Sequence, residues 1–229
     1  MTCSIKICGI TGADDARMVS ESGIDYLGVL VNVRQSPRSV GIEAASEIIA
    51  ASKVPVLVLA YDHCIDDLLL VVKALHPAGV QLAGSESETY IASLRDKIGG
   101  ELWKTVHLTP AEAVIDSSAA VAAQINRLAQ IGINRVVLDT AVTRGSVEFR
   151  GGTGERCDWS VAAQIKQQVD MFLFLAGGIN PGNVRDALLQ VNPDGIDLSS
   201  GVERATGKKD IALVQRLVAA AKVTLPRTP

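Results

Sequence analysis

Aromatic residues are the chain's clearest shortage. Two Trp, three Tyr and three Phe make 3% of 229 residues, which leaves little for stacking on nucleic-acid bases or sugars. An excess of one charge is missing too. Lys and Arg number 22 against 25 Asp and Glu, for a net charge of −3 without any long basic run. Nothing therefore calls for nucleic acid or an anionic membrane as partner. No apolar stretch approaches the roughly 18–20 residues of a membrane span. The opening, MTCSIKICGI, is too short and too polar for a secretion signal, so the expected compartment is the cytoplasm. Cys3, Cys8, Cys64 and Cys157 are widely scattered, with no CxxC pair. Neither a zinc cage nor a disulfide framework is expected from them.

What the chain does have is alternation. At 48% hydrophobic and 21% charged it has a globular composition. Short β-branched runs predict strands at Ile5–Cys8, Tyr26–Val31, Val54–Ala60, Gly79–Leu82, Leu102–His107, Arg135–Asp139, Met171–Ala176 and Gly195–Leu198. Between them, amphipathic runs predict helices at Asp14–Ser22, Glu43–Ala50, Ile65–Leu75, Glu86–Lys97, Ser118–Gln130, Ser160–Gln168, Pro181–Gln190 and Asp210–Lys222. Strand–helix alternation implies a parallel sheet. Eight units without a linker predict one compact (β/α)8 barrel domain over residues 1–229. A doubly wound open sheet is the alternative, but no GxGxxG follows the first strand. Asn180-Pro181 reads as a helix start, and Gly23 and Gly132 as left-handed helix ends. Thr140–Trp159 is the exception, a long glycine-rich connection.

Catalytic groups of such barrels collect at the C-terminal strand ends. Those ends carry Cys8-Gly9, Ser36-Pro37-Arg38, Asp139-Thr140, Gly177-Gly178 and Ser199-Ser200-Gly201. Alternate strand residues face opposite sides. With the purely apolar sets facing the helices, Lys6, Cys8, Val137, Asp139, Asp197 and Ser199 turn inward. Competing readings are plainer. Cys8 fits as inert packing, Asp139 as a helix cap or ion-pair member, and Arg38 as a solvated loop charge. Lys6 and Asp197 read best as a structural pair inside the barrel, and His107 as a rim hydrogen-bonder. His63 and His76 read as surface residues, Cys3 and Cys64 as bystanders, and Lys208-Lys209 as a solvated helix start.

Taken together, these motifs give the chain a resemblance to the phosphoribosylanthranilate isomerase family, a (β/α)8 barrel family of tryptophan biosynthesis. They are KICGIT with the following DDA, SPRSV, VQLAG, LDT, GGTGERCDW, LAGGINPGNV and DLSSGVERATGKKD, in order along the chain. The resemblance implies an Amadori rearrangement of a phosphorylated amino sugar. It places the family's general base on Cys8, its general acid on Asp139 and its arginine on Arg38. The chemistry agrees with these residue types. Ring opening needs a proton on the furanose oxygen, and a partly buried carboxyl can hold one. A thiolate can take the C2 proton once its pKa falls towards neutrality. The phosphate needs backbone N–H donors, and the turns at Gly177, Gly178, Ser200 and Gly201 are where barrels form such sites. No redox step or group transfer occurs, so no cofactor or metal is expected. The expected partner is the small phosphorylated substrate, and the outer helices leave a homodimer open.

Three positions depart from the family. Ala83 stands in the strand-four motif where QLHG is usual. The stretch GVLVNVRQSPR carries no aromatic where the family has GFIF. Cys157 stands where FDW is usual. These changes bear on the aglycone more than on the reaction class. A divergent paralogue acting on a related amino-sugar phosphate, and a catalytically silent phosphate-binding barrel, stay open as alternatives.

Overall fold

The computed structural model describes residues 3–108, 118–144, 147–150 and 159–222. Eight strands form the barrel: β1 (Ser4–Ile7), β2 (Tyr26–Val31), β3 (Val56–Ala60), β4 (Gly79–Leu82), β5 (Glu101–Leu108), β6 (Arg135–Arg144), β7 (Phe172–Leu175) and β8 (Gly195–Leu198). Every barrel pairing is parallel, and the circuit closes through β1–β8 on one side and β1–β2 on the other. The helices are α1 (Ala13–Ser20), α2 (Ile42–Ala51), α3 (Ile65–Leu75), α4 (Glu88–Arg95), α5 (Ser118–Gln130), α6 (Trp159–Gln167), α7 (Val184–Val191) and α8 (Ile211–Ala221). Among the described residues, no helix is long and apolar enough to cross a membrane.

Strand alternation divides the core into two layers. Outward residues such as Ile5, Ile7, Leu27, Val136, Leu138, Leu173, Leu175 and Ile196 pack with the helices in one continuous cluster. Inward residues Leu57, Trp103, Val137, Phe174 and Ala176 form a second cluster inside the barrel, joined by Tyr26 and Phe172. Trp103 and Phe174 lie 4.7 Å apart between ring centroids, and Tyr26 meets Trp103 edge-on at 5.1 Å. The Arg135 guanidinium sits 4.8 Å from the centre of the Phe172 ring and 5.1 Å from that of Tyr26. Glu101 accepts from Arg135 at 2.9 Å and from Trp103 Nε1 at 2.5 Å. Because these residues lie towards the strand starts, they close the N-terminal end of the barrel.

Local departures from the sequence reading have identifiable causes. The regular part of α7 begins at Val184, not at Pro181. Asn180 instead caps the turn before it, its Oδ1 accepting from Gly182 N at 2.9 Å and its carbonyl from Val184 N at 3.0 Å. Gly132 has φ +93° and ends α5, with Ile133 N bonded to the Leu128 carbonyl and Gly132 N to that of Ala129. Gly23 is also left-handed, at φ +83°. In the connection at 140–159, β6 runs on to Arg144 and its end pairs antiparallel with Val147–Arg150. Residues 145–146 and 151–158, including most of the glycine-rich run and Cys157, lie outside the described residues.

Candidate active site

The C-terminal mouth of the barrel holds a cavity of about 150 Å³. Cys8, Arg38, Asp139, Gly177, Gly178, Ser200 and Gly201 all line it. The structure thus brings together, from five strand ends, every residue the sequence singled out for chemistry or substrate binding. Ala83, Gln81, Thr105, His107 and Leu59 form the opposing wall.

Cys8 follows β1 directly, with its amide bonded to the Leu198 carbonyl at 2.9 Å. Strand parity turns its side chain inward, and Gly28, the inward residue of β2 at that level, leaves the space that it occupies. A Cβ on Gly28 would lie 3.0 Å from Cys8 Sγ, Lys6 Nζ and Leu59 Cδ1. Lys6 and Asp197 form the internal pair expected of them, at 2.9 Å and almost wholly buried. Burial pushes the Cys8 thiol above its ordinary pKa, against the lowering influence of Lys6. In the ligand-free cavity desolvation outweighs the cation, so the resting group is the thiol. Burial would lower Lys6, but the Asp197 carboxylate more than offsets it and holds the ammonium charged beside the thiol.

Arg38 is neither solvated nor loose. Its Nε and Nη2 donate to Glu203 Oε1 and Oε2 at 2.8 and 2.7 Å, a bidentate pair. Glu203 also accepts from Lys209 Nζ at 2.9 Å, and Lys209 reaches Ser199 Oγ at 3.2 Å. Burial raises Glu203, yet its bonds to Arg38 and Lys209 hold it at about 2. Lys209 is 0% exposed, which overturns its reading as a solvated helix start. The reason is a short antiparallel ribbon, Glu203–Ala205 with Lys208–Lys209, turned by Gly207 at φ +74°. The ribbon folds the lysine under the mouth, so only Lys208 is exposed. Burial lowers the Lys209 pKa, with Glu203 opposing the fall.

The two turns expected to receive phosphate are adjacent. Gly177 and Gly178 take φ +92° and +67°, accessible to glycine at little cost. Asn183 Nδ2 and Asn180 Nδ2 hold this turn through the Gly178 carbonyl, at 2.9 and 3.2 Å. Ser200–Val202 forms a single 3₁₀ turn after β8. Gly201 presses so closely on the Ile179 carbonyl that a Cβ would collide with it, so the two turns interlock.

Asp139 is half-buried at the mouth on β6. His107 Nε2 lies 3.0 Å from the Ala83 carbonyl, in keeping with its reading as a rim hydrogen-bonder. Cys64 is the N-cap of α3, its Sγ accepting from Asp67 N at 3.4 Å. His76 is an exposed left-handed cap at φ +45°, while His63 is half-buried and its Nδ1 accepts from Tyr61 N at 3.1 Å. Among the described residues, no group of three or more His, Cys, Asp or Glu is placed to hold a metal ion. Sequence reasoning gave Glu203, Lys209 and Gln81 no place in the site. The available signal for the first two was Gly207 between two short polar runs, a hairpin pattern.

Comparison with known proteins gives a consistent answer. The family model for N-(5'-phosphoribosyl)anthranilate (PRA) isomerase matches residues 5–220. The N-(5'-phosphoribosyl)anthranilate isomerase of Citrifermentans bemidjiense is 36% identical over 222 residues, covering 95% of this chain and 96% of its own. Monomers generated from the dimeric phosphoribosylanthranilate isomerase of Thermotoga maritima superpose with TM-score 0.79 at 28% identity, covering 96% of this chain and 98% of theirs. A phosphoribosylanthranilate isomerase in complex with reduced 1-(o-carboxyphenylamino)-1-deoxyribulose 5-phosphate superposes with TM-score 0.78 at 26% identity, covering 96% and 98% of the two chains.

Proposed function

The chain belongs to the N-(5'-phosphoribosyl)anthranilate isomerase family, and from that premise we propose that it converts phosphoribosylanthranilate to the open-chain 1-amino-1-deoxyketose with Cys8 as general base and Asp139 as general acid. The observation that carries the reading is one cavity lined by Cys8, Asp139, Arg38 and both glycine-bearing turns. Asp139 gives a proton to the furanose oxygen as the C1–O bond breaks, and the nitrogen lone pair forms a protonated imine at C1. Cys8 takes the proton from C2, and those bonding electrons move to neutralise the iminium nitrogen. The resulting enaminol becomes the ketone by losing its hydroxyl proton and gaining one at C1. Atoms are conserved, as an isomerisation requires.

The raised thiol pKa fits this order of events. Cys8 is protonated while the cavity is empty, and a cationic imine beside it, with Lys6, favours the thiolate when it is needed, the thiol proton leaving to solvent. Backbone amides at Gly177, Gly178, Ser200 and Gly201 receive the phosphate. Arg38, held flat by Glu203, presents its remaining N–H groups to the anthranilate carboxylate. The same reading puts the reaction in tryptophan biosynthesis in the cytoplasm. The test is turnover of phosphoribosylanthranilate by the purified protein, followed by loss of anthranilate-type fluorescence. Absence of turnover by the wild type overturns the reading. Full activity in both Cys8→Ala and Asp139→Asn overturns the assigned roles.

A further inference from the structure

Gln81 lies on the inner wall of β4, 2% exposed and part of the cavity lining. Its Nε2 donates to Thr105 Oγ1 at 3.0 Å. Its Oε1 is buried without a hydrogen-bond partner among the described residues. An unpaired buried acceptor is costly, and such a cost is understandable where a ligand completes the bond. The Leu59 and Ala83 side chains on the same wall are apolar and offer no donor in its place.

Position in the ring says which part of the substrate reaches it. β4 stands four strands from β8 by either route around the barrel, so it is diametrically opposite. On the isomerase reading above, on which this inference rests, the phosphate sits on the turns after β7 and β8. The sugar then extends across the axis, past Cys8 and Asp139. Beyond C2 and C1 comes the nitrogen that bridges to the aromatic ring, directed towards the β3–β5 wall.

We infer that Gln81 Oε1 accepts a hydrogen bond from this bridging nitrogen. In the closed sugar the donor is a neutral N–H. After ring opening it is the N–H of a protonated imine, and the same bond becomes charge-assisted and stronger. The contact therefore gains strength as the reaction proceeds, which lowers the barrier more than it tightens substrate binding. A carbonyl suits this place because an iminium nitrogen can only donate. The nearby cations do not compete, since Lys6 is held by Asp197 and Arg38 and Lys209 by Glu203.

Steady-state kinetics with phosphoribosylanthranilate on three variants tests the inference. Gln81→Met is expected to lower kcat about 10–100-fold with KM within about threefold of wild type. Thr105→Val is expected to lose less than about threefold, and Gln81→Glu, which keeps an acceptor, to stay within about tenfold of wild type. Inhibition by ribose 5-phosphate is expected to be unchanged in all three, which reports a folded phosphate end. Wild-type kcat in Gln81→Met, or a loss confined to KM, overturns the inference. So does a Thr105→Val enzyme as slow as Gln81→Met, because wall packing would then explain the loss. If Gln81→Met does not fold, Gln81→Glu decides, and a folded Glu variant more than about tenfold slow overturns the inference. A wild type without turnover overturns the isomerase reading and this one together, whereas an active wild type beside an unimpaired Gln81→Met overturns this one alone.

Discussion

The two ends of the barrel interior are built from different chemistry. The N-terminal end is closed by Tyr26, Trp103, Phe172 and Phe174, with Arg135 over three of the rings and Glu101 satisfying both Arg135 and Trp103. The C-terminal mouth is lined mainly by small, polar and charged groups, with Tyr61 the one aromatic among its described lining residues. A chain with so few aromatics places four of them where they fill space and make no contact with the cavity. Packing density stabilises one end, while the other carries buried charge and, at Gln81 Oε1, a buried acceptor without a partner among the described residues. Stability and chemistry are thus set by different residues on the same eight strands.

That separation should show in mutants at either end. The largest expected effect is at the mouth. Cys8→Ala should lower kcat about 10²–10⁴-fold, the usual worth of a general base, while thermal unfolding shifts little. A Cys8→Ala enzyme that unfolds early but turns over normally would erase the contrast. Next comes the closed end. Trp103 is fully buried, and Trp103→Ala should cost about 4 kcal/mol in a denaturant titration. Its kcat per folded molecule should stay near wild type.

Glu203→Gln should affect both properties, because Glu203 ties the stable ribbon to Arg38 at the mouth. Removing the carboxylate strands two buried cations, for a cost of about 3 kcal/mol, and frees Arg38 so that KM rises. The pH dependence has a definite sign. Glu203 is depressed from 4.5 to about 2 in the fold, so its contribution is complete above pH 4.5. It is lost as pH falls through about 2. The stability gap between wild type and Glu203→Gln should be flat at neutral pH and narrow in that acid window. A gap that instead closes above pH 7 would assign the effect to Lys209.

The contrast between the ends also explains what the sequence could reveal. The eight strands were legible because outward positions are apolar in β1 and β8 and, at Val136 and Leu138, in the barrel part of β6, so parity alone turned Cys8, Asp139 and Asp197 inward. The glycine-bearing turns after β7 and β8 were legible for the same reason, since their backbone demands are local. Glu203 and Lys209 were not legible, because a lysine two residues past a glycine reads as solvent-exposed until the ribbon partner is known. Nor could the sequence show that Gln81 has one satisfied end and one bare end, which depends on Thr105 from the next strand. The aromatic plug was equally hidden, since Tyr26, Trp103 and Phe174 meet only when the ring closes. Local pattern decides which way a residue faces. Long-range closure decides what it meets there.

Gly28→Ala probes the boundary between the two regimes and carries the smallest expected effect. Gly28 sits between the aromatic layer and the mouth, and an added methyl would lie 3.0 Å from Cys8 Sγ, Lys6 Nζ and Leu59 Cδ1. Each of these can yield by a few tenths of an ångström, so the stability cost should be only about 1 kcal/mol. The same displacement moves the proposed base relative to C2, and proton transfer is sensitive to small misplacement, so kcat should fall about 30-fold, which is about 2 kcal/mol. Both are measured on one protein, by denaturant titration and steady-state kinetics. A kcat loss larger than the stability loss would mean that the gap at Gly28 exists for the thiol's position. Equal losses, about 1.4 kcal/mol per tenfold, would mean that it exists for packing, and would move the boundary between the two ends up to the level of Cys8.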